Sequence, residues 1–165
     1  MREDEIYVVS KEWFKSRGFI PIAGQPPNGS DNIPVIEIKD PDQLAKGSKG
    51  SYKPDLVFAN DAYVVLVECK PAFNMGDKLK LEQIAGSLSR QGAFYDELVS
   101  RRMLEKSGLK PSYPTKEEFI KKIRFCMTYA GVPIPMERIA SVAFSEEGSG
   151  VFTQAETQSF GCLIE

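Results

Sequence analysis

The stretch Tyr63-Val64-Val65-Leu66-Val67 is apolar at every position and runs directly into Glu68-Cys69-Lys70. A strand sends alternate side chains to opposite faces, so a run that is apolar on both must be covered on both. The run therefore predicts a central strand between two layers of other elements. By the same alternation Glu68 and Lys70 leave from one face and Cys69 from the other. A carboxylate and an ammonium at the end of a buried strand cost several kcal/mol per ion unless paired or bound to a metal.

A second apolar run, Leu56 to Ala59, is separated from the first by Asn60-Asp61, a pair of turn residues, and the two runs predict a hairpin. Asp55 follows Pro54 at the start of the partner strand, so Asp55, Glu68 and Lys70 are expected to meet in one cleft. Two close carboxylates repel one another and favour a hard divalent cation between them. Mg2+ is expected on Asp55 and Glu68, with Mn2+ as its substitute. Such a site can polarise a phosphodiester and activate water, while Lys70 orients or deprotonates the water or stabilises developing charge. Taken alone, a Glu-x-Lys triplet is an ordinary ion pair at a strand end. The apolar strand, the Pro-Asp start of its partner and an acidic first helix together favour a site.

Elsewhere the pattern predicts an amphipathic helix from Glu3 to Arg17, with Ile6, Val9, Trp13 and Phe14 at helical spacing and Gly18 as its stop. Phe19 to Ile22 suggests a short strand, Gly24 to Asn32 a loop, and Val35 to Lys39 a half-buried strand. Asp40 to Tyr52 carries no periodicity and is expected to be a surface loop. Its neighbourhood holds Lys39, Lys46, Lys49 and Lys53, which could meet phosphates or simply be solvated. Lys78 to Lys106 predicts one long helix or two, Gly86 and Gly92 being the weak points. Strands are expected over Ile123 to Ala130, Ser141 to Phe144 and Val151 to Thr153, a helical turn over Pro135 to Ile139, and a strand opened by Lys121, Lys122 and Arg124. The succession predicts an α/β sandwich with a mixed sheet flanked by helices.

With 165 residues and 42% hydrophobic content the chain suits one domain, 1–165. A net charge of -2 argues against non-specific coating of nucleic acid but leaves room for local basic patches. The absence of histidine removes the Ser-His-Asp triad, the Cys-His pair and imidazole-ligated metals. Cys69, Cys126 and Cys162 have no metal-type spacing, and nothing reads as a secretory signal, so a reduced, cytoplasmic setting is expected. No apolar run approaches the ~20 residues that span a bilayer, and no membrane partner is expected.

Pro54-Asp55 followed by Glu68-Cys69-Lys70 at the end of an apolar strand resembles the PD-(D/E)xK nuclease superfamily. That group includes restriction endonucleases, archaeal Holliday junction resolvases and RecB-type exonuclease domains. The stretch PDLVFANDAYVVLVECK is similar to the archaeal resolvases in hairpin length and pattern, and Ser30 resembles their loop serine. The resemblance implies a restriction endonuclease-like three-layer sandwich, with an αβββαβ core over 3–130 and a C-terminal extension over 131–165. It also implies a glutamate from the first helix at the metal site, matched best by Glu5 with Glu12 in reserve. Gln91 and Tyr95 have the spacing of a helix motif of RecB-type exonucleases; the ordinary reading is a solvated glutamine and a core aromatic.

The expected activity is that of a Mg2+-dependent DNA endonuclease, a restriction-type catalytic module or subunit. A structure-selective nuclease of the resolvase kind, or a catalytically silent DNA-binding or assembly subunit, are the alternatives. Cutting two strands takes two sites, so a homodimer or a heterodimeric partner is expected.

Overall fold

The computed structural model describes residues 1–29, 31–42, 50–109, 115–147 and 151–158; for 146–147 and 151–158 it describes the backbone alone. Helix α1 spans Glu3–Lys15, β1 Ile20–Gly24, β2 Leu56–Ala59 and β3 Val64–Lys70. Helices α2 (Met75–Ala85), α3 (Leu88–Ser100), α4 (Met103–Lys106) and α5 (Lys116–Lys122) follow. The strands β4 (Ile123–Ala130), β5 (Ala140–Glu147) and β6 (Val151–Gln158) come last. All strands form one mixed sheet in the order β1-β2-β3-β4-β5-β6. The pairs β1/β2, β2/β3 and β5/β6 are antiparallel, whereas β3/β4 and β4/β5 are parallel.

The central position expected for the apolar strand is the one β3 occupies. Val64, Val65, Leu66 and Val67 are fully buried, and the strand is covered on both faces. Leu66 packs with residues of α2, α3 and α5 such as Leu81, Phe94 and Phe119. Val65 and Val67 pack with Ile6 and Phe14 of α1 and with Phe58. The sheet thus lies between α1 on one side and α2, α3 and α5 on the other, an α/β fold with a mixed sheet and helices on both faces.

The burial of Ile6, Tyr7, Ser10, Trp13 and Phe14 on α1 follows the 3.6-residue period. Phe14 stacks on Phe58 with ring centroids 4.4 Å apart and meets Trp13 and Phe19 edge-on. Beyond the helix, Gly18 adopts φ 82°, a left-handed conformation that glycine takes without steric cost, and the chain turns back so that the Phe19 amide donates to the Phe14 carbonyl.

The region from Lys78, expected as one long helix or two, divides at Gly86, one of the two weak points: α2 ends at Ala85, Gly86 is its C-cap, and Ser87 caps α3 by accepting from the Arg90 amide. Several other expectations are corrected. Val35 to Lys39 is not a strand. Its alternating burial is present, with Ile36 and Ile38 inside, but among the described residues it pairs with no strand, and an isolated bridge joins Ile38 to Tyr52. Pro135 to Ile139 forms no helical turn; the Ile134 amide instead donates to the Tyr129 hydroxyl. Lys121 and Lys122 close helix α5, which Thr115 caps, rather than opening a strand. The residues after 130 supply β5 and β6, so they extend the same sheet. Among the described residues no helix is long and apolar enough to cross a membrane.

Because Phe14 is fully buried and holds α1 to β2, Phe14→Ala is expected to remove about 3–5 kcal/mol of stability. Urea denaturation measures this; a loss under about 1 kcal/mol would show that α1 is held by something else.

Candidate functional site

The hairpin register creates the site. Leu56 faces Val67 across β2 and β3, so one step further Asp55 stands opposite Glu68, on the same face of the sheet. Asn60 fixes the turn by accepting from the Ala62 and Tyr63 amides, and this holds the register. Asp55 is anchored twice: its carboxylate accepts from the Cys69 amide at 2.8 Å and its carbonyl from the Gln25 amide.

Glu68 is 4% exposed. Its carboxyl receives the hydroxyl of Tyr52, which is itself buried, and is hydrogen-bonded to Asp55. Burial, and next the neighbouring Asp55, push the Glu68 pKa up to about 8, against the opposing pull of Tyr52 and Lys70. Burial also raises Asp55, though the Cys69 amide and Lys70 work the other way. The phenol of Tyr52 is raised by burial and by the Glu68 charge, so it remains a donor. Both carboxyls are thus pushed toward their protonated forms, and in the bond between them Glu68 donates to Asp55.

Lys70 completes the constellation. Its ammonium lies 2.7 Å from Glu3, 3.9 Å from Asp55 and 4.0 Å from Asp77. Burial disfavours its charge, yet the bond to Glu3 and the fields of Asp55 and Glu68 outweigh that and raise its pKa. Beneath the site the buried Ser10 of α1 donates to Thr128 of β4 at 2.8 Å, and Thr128 donates to the Glu68 carbonyl at 3.3 Å. This chain of hydroxyls ties helix and two strands together under the carboxylates.

Of the residues expected from the sequence, Asp55, Glu68 and Lys70 are brought together. Glu5 is not. It occupies the third helical position of α1 and turns back to accept from the Arg2 amide at 2.8 Å, as a capping glutamate does. Glu12 is also away from the site, paired with Lys15 and exposed. The helix glutamate that reaches the lysine is Glu3. Gln91 is a buried strut, donating to the carbonyls of Ile84 and Ala85 at the end of α2, and Tyr95 packs against Phe119. Ser30, Lys46, Lys49 and Cys162 lie outside the described residues.

Two members were missed altogether, Asp77 and Tyr52. Asp77 is 7% exposed in the first turn of α2, where an acid is favoured by the helix dipole whatever its role. Its only distinguishing signal was the Asn74 cap three residues earlier, which fixes the turn. Tyr52 sits at the end of a segment without periodicity, and only its adjacency to Pro54-Asp55 pointed to it.

Among the described residues no group of three or more His, Cys, Asp or Glu is arranged to hold a metal ion. The donor chemistry of Asp55 and Glu68 nevertheless fits a hard cation. Both offer oxygens, and they are held side by side where burial and mutual repulsion disfavour two uncompensated charges. No family model matches the chain, and neither the curated proteins nor the solved structures yield a match.

The raised pKa has a consequence for stability. Glu68 binds its proton more tightly folded than unfolded, where the ordinary value is 4.5, so its contribution is fully present below that value and is lost as pH rises toward about 8. With EDTA present, the wild-type protein is expected to lose on the order of 3 kcal/mol between about pH 5 and pH 9 relative to Glu68→Gln. Parallel pH profiles of the two proteins in urea would show that the carboxylates are not coupled in this way.

Proposed function

We propose that the chain is a Mg2+-dependent nuclease of the PD-(D/E)xK type that hydrolyses DNA phosphodiester bonds. The observation that carries the reading is Asp55 standing across the hairpin from Glu68, with the Lys70 ammonium 3.9 Å from Asp55, at the end of a fully buried strand. The element order α1-β1-β2-β3-α2 with β4 following agrees with the order that the sequence resemblance implies, and supports a restriction endonuclease-like core.

Asp55 and Glu68 would hold Mg2+, or Mn2+ in its place. When bound, the cation supplies Lewis-acid polarisation of the phosphodiester and neutralises part of its charge. Tyr52 keeps Glu68 facing Asp55, and the Cys69 amide keeps Asp55 in register, so both carboxylates are set before any ligand arrives. Lys70 is 21% exposed at its side chain and stays protonated. It therefore acts as a donor that orients water or stabilises a phosphate oxygen as charge develops, rather than as a base. Glu3 restrains the ammonium from the side of α1.

The expected substrate is duplex DNA cut within the chain, with a second copy or a partner subunit supplying the site for the other strand. Incubation with supercoiled plasmid and with a four-way junction, each in Mg2+, Mn2+ or EDTA, tests the reading. Metal-dependent cutting is expected, falling at least ~100-fold in Asp55→Asn, Glu68→Gln and Lys70→Met. Cutting of the junction alone would favour the resolvase-like alternative. No cutting of either substrate, or full activity in all three variants, would overturn the assignment.

Glu3→Gln discriminates a positioning role from a catalytic one. It removes the charge partner of Lys70 but leaves a hydrogen-bond acceptor. A drop of about 10-fold in kcat with KM little changed is expected, smaller than that of Lys70→Met. A loss as deep as that of Lys70→Met would place Glu3 on the reacting groups themselves.

A further inference from the structure

Beside the carboxylates lies a second feature, a cleft of about 210 Å³ between the segment ending at Tyr52 and helix α2. Ser51, Tyr52, Lys80, Gln83 and Arg90 form its walls. Tyr52 is common to both places, its hydroxyl on Glu68 and its residue in the cleft wall. Asp77 links them: one carboxylate oxygen is 3.0 Å from Lys80 of the cleft wall and the other 4.0 Å from Lys70. Cleft and site are therefore neighbours along the same edge of α2.

The cleft differs from the site in sign. Glu3, Asp55, Glu68 and Asp77 surround the single Lys70, whereas the cleft offers Lys80 and Arg90 with the amide of Gln83 between them. Each cation has a carboxylate partner, Asp77 for Lys80 and Asp40 for Arg90 at 2.7 Å. Neither is used up by it. An ammonium has three N–H donors and a guanidinium five, and one bond to a carboxylate leaves the rest. The Lys80 side chain is 62% exposed, where an ion pair is worth little and is readily exchanged for a stronger anion. A polyanion crossing the acidic site needs cations close at hand, and this cleft is where the structure supplies them.

We propose that the cleft binds a backbone phosphate of the DNA strand, next to the phosphate that meets Lys70. The proposal rests on the nuclease reading above and adds the direction in which the strand leaves the site, along α2 towards Arg90. Lys80 provides the mobile charge. Arg90, pinned by Asp40, provides a fixed fork of the kind suited to phosphate oxygens.

The probe is a fluorescently labelled 20-base-pair duplex, its anisotropy followed with Mg2+ in the Glu68→Gln protein so that the strand stays intact. Affinity is measured at several salt concentrations. Each phosphate contact contributes about 0.9 to the slope of log affinity against log salt. Adding Lys80→Gln is expected to weaken binding about 3- to 10-fold and to flatten the slope by about 0.9, and adding Gln83→Lys to steepen it by about 0.9. Lys80 and Gln83 are exposed, so neither change disturbs the core. If Lys80 merely neutralises Asp77, stability shifts and the salt slope does not. Binding by the parent with unchanged slopes in both variants overturns the subsite and leaves the nuclease reading standing. No binding by the parent overturns both.

Discussion

A buried carboxyl, Glu68, set beside a half-buried one, Asp55, is the constraint around which this molecule is arranged. Asp55 and Glu68 cannot both carry charge out of water without compensation, because desolvation and mutual repulsion add. The compensation comes from three directions. The Cys69 amide holds one carboxylate and the Tyr52 phenol the other. Lys70 stands beside them, itself balanced by Glu3 and Asp77. The groups come from the residue just before β2, from the end of β3, from helices α1 and α2, and from Tyr52. The site is therefore a junction of elements rather than a feature of one, and the buried link from Ser10 through Thr128 to the Glu68 carbonyl keeps the junction from shearing.

What the sequence disclosed and what it hid divide along the range of the interactions. Asp55, Glu68 and Lys70 were legible because one hairpin places them, and a hairpin is encoded by two apolar runs and the turn between them. The central position of β3 was legible for a similar reason, since an apolar run leaves no face for water. The start of α1 at Glu3 was read correctly, but the resemblance favoured Glu5, which caps the helix on the Arg2 amide and leaves Glu3 to face Lys70. Asp77 and Tyr52 come from elements that reach the site only through tertiary packing, and no local pattern marks them. Helix α5 was hidden behind the basic residues Lys121 and Lys122, which are a charged last turn as readily as the opening of a strand. Val35 to Lys39 shows the reverse case. Its alternation describes burial correctly, but alternation does not provide a neighbour to pair with, so the ladder reduces to a single bridge.

The absence of histidine has a physical counterpart in this arrangement. In a protein without imidazole, burial of Glu68 beside Asp55 raises a carboxyl toward the range that histidine ordinarily occupies. The perturbation also defines what the pocket accepts. It needs about one positive charge to offset the second carboxylate, and a proton or a hard cation can each provide it. The proton is the occupant that the apolar surroundings favour at low pH. As pH rises the pocket becomes a pair of anions held at fixed spacing by bonds that were formed without a metal, and this readiness lowers the reorganisation that cation binding would otherwise require. Lys70 cannot take that place, since its ammonium is drawn aside to Glu3 at 2.7 Å and stands 3.9 Å from Asp55. The tether to α1 therefore serves two ends at once: it keeps the lysine charged and it draws the ammonium aside from the carboxylate pair.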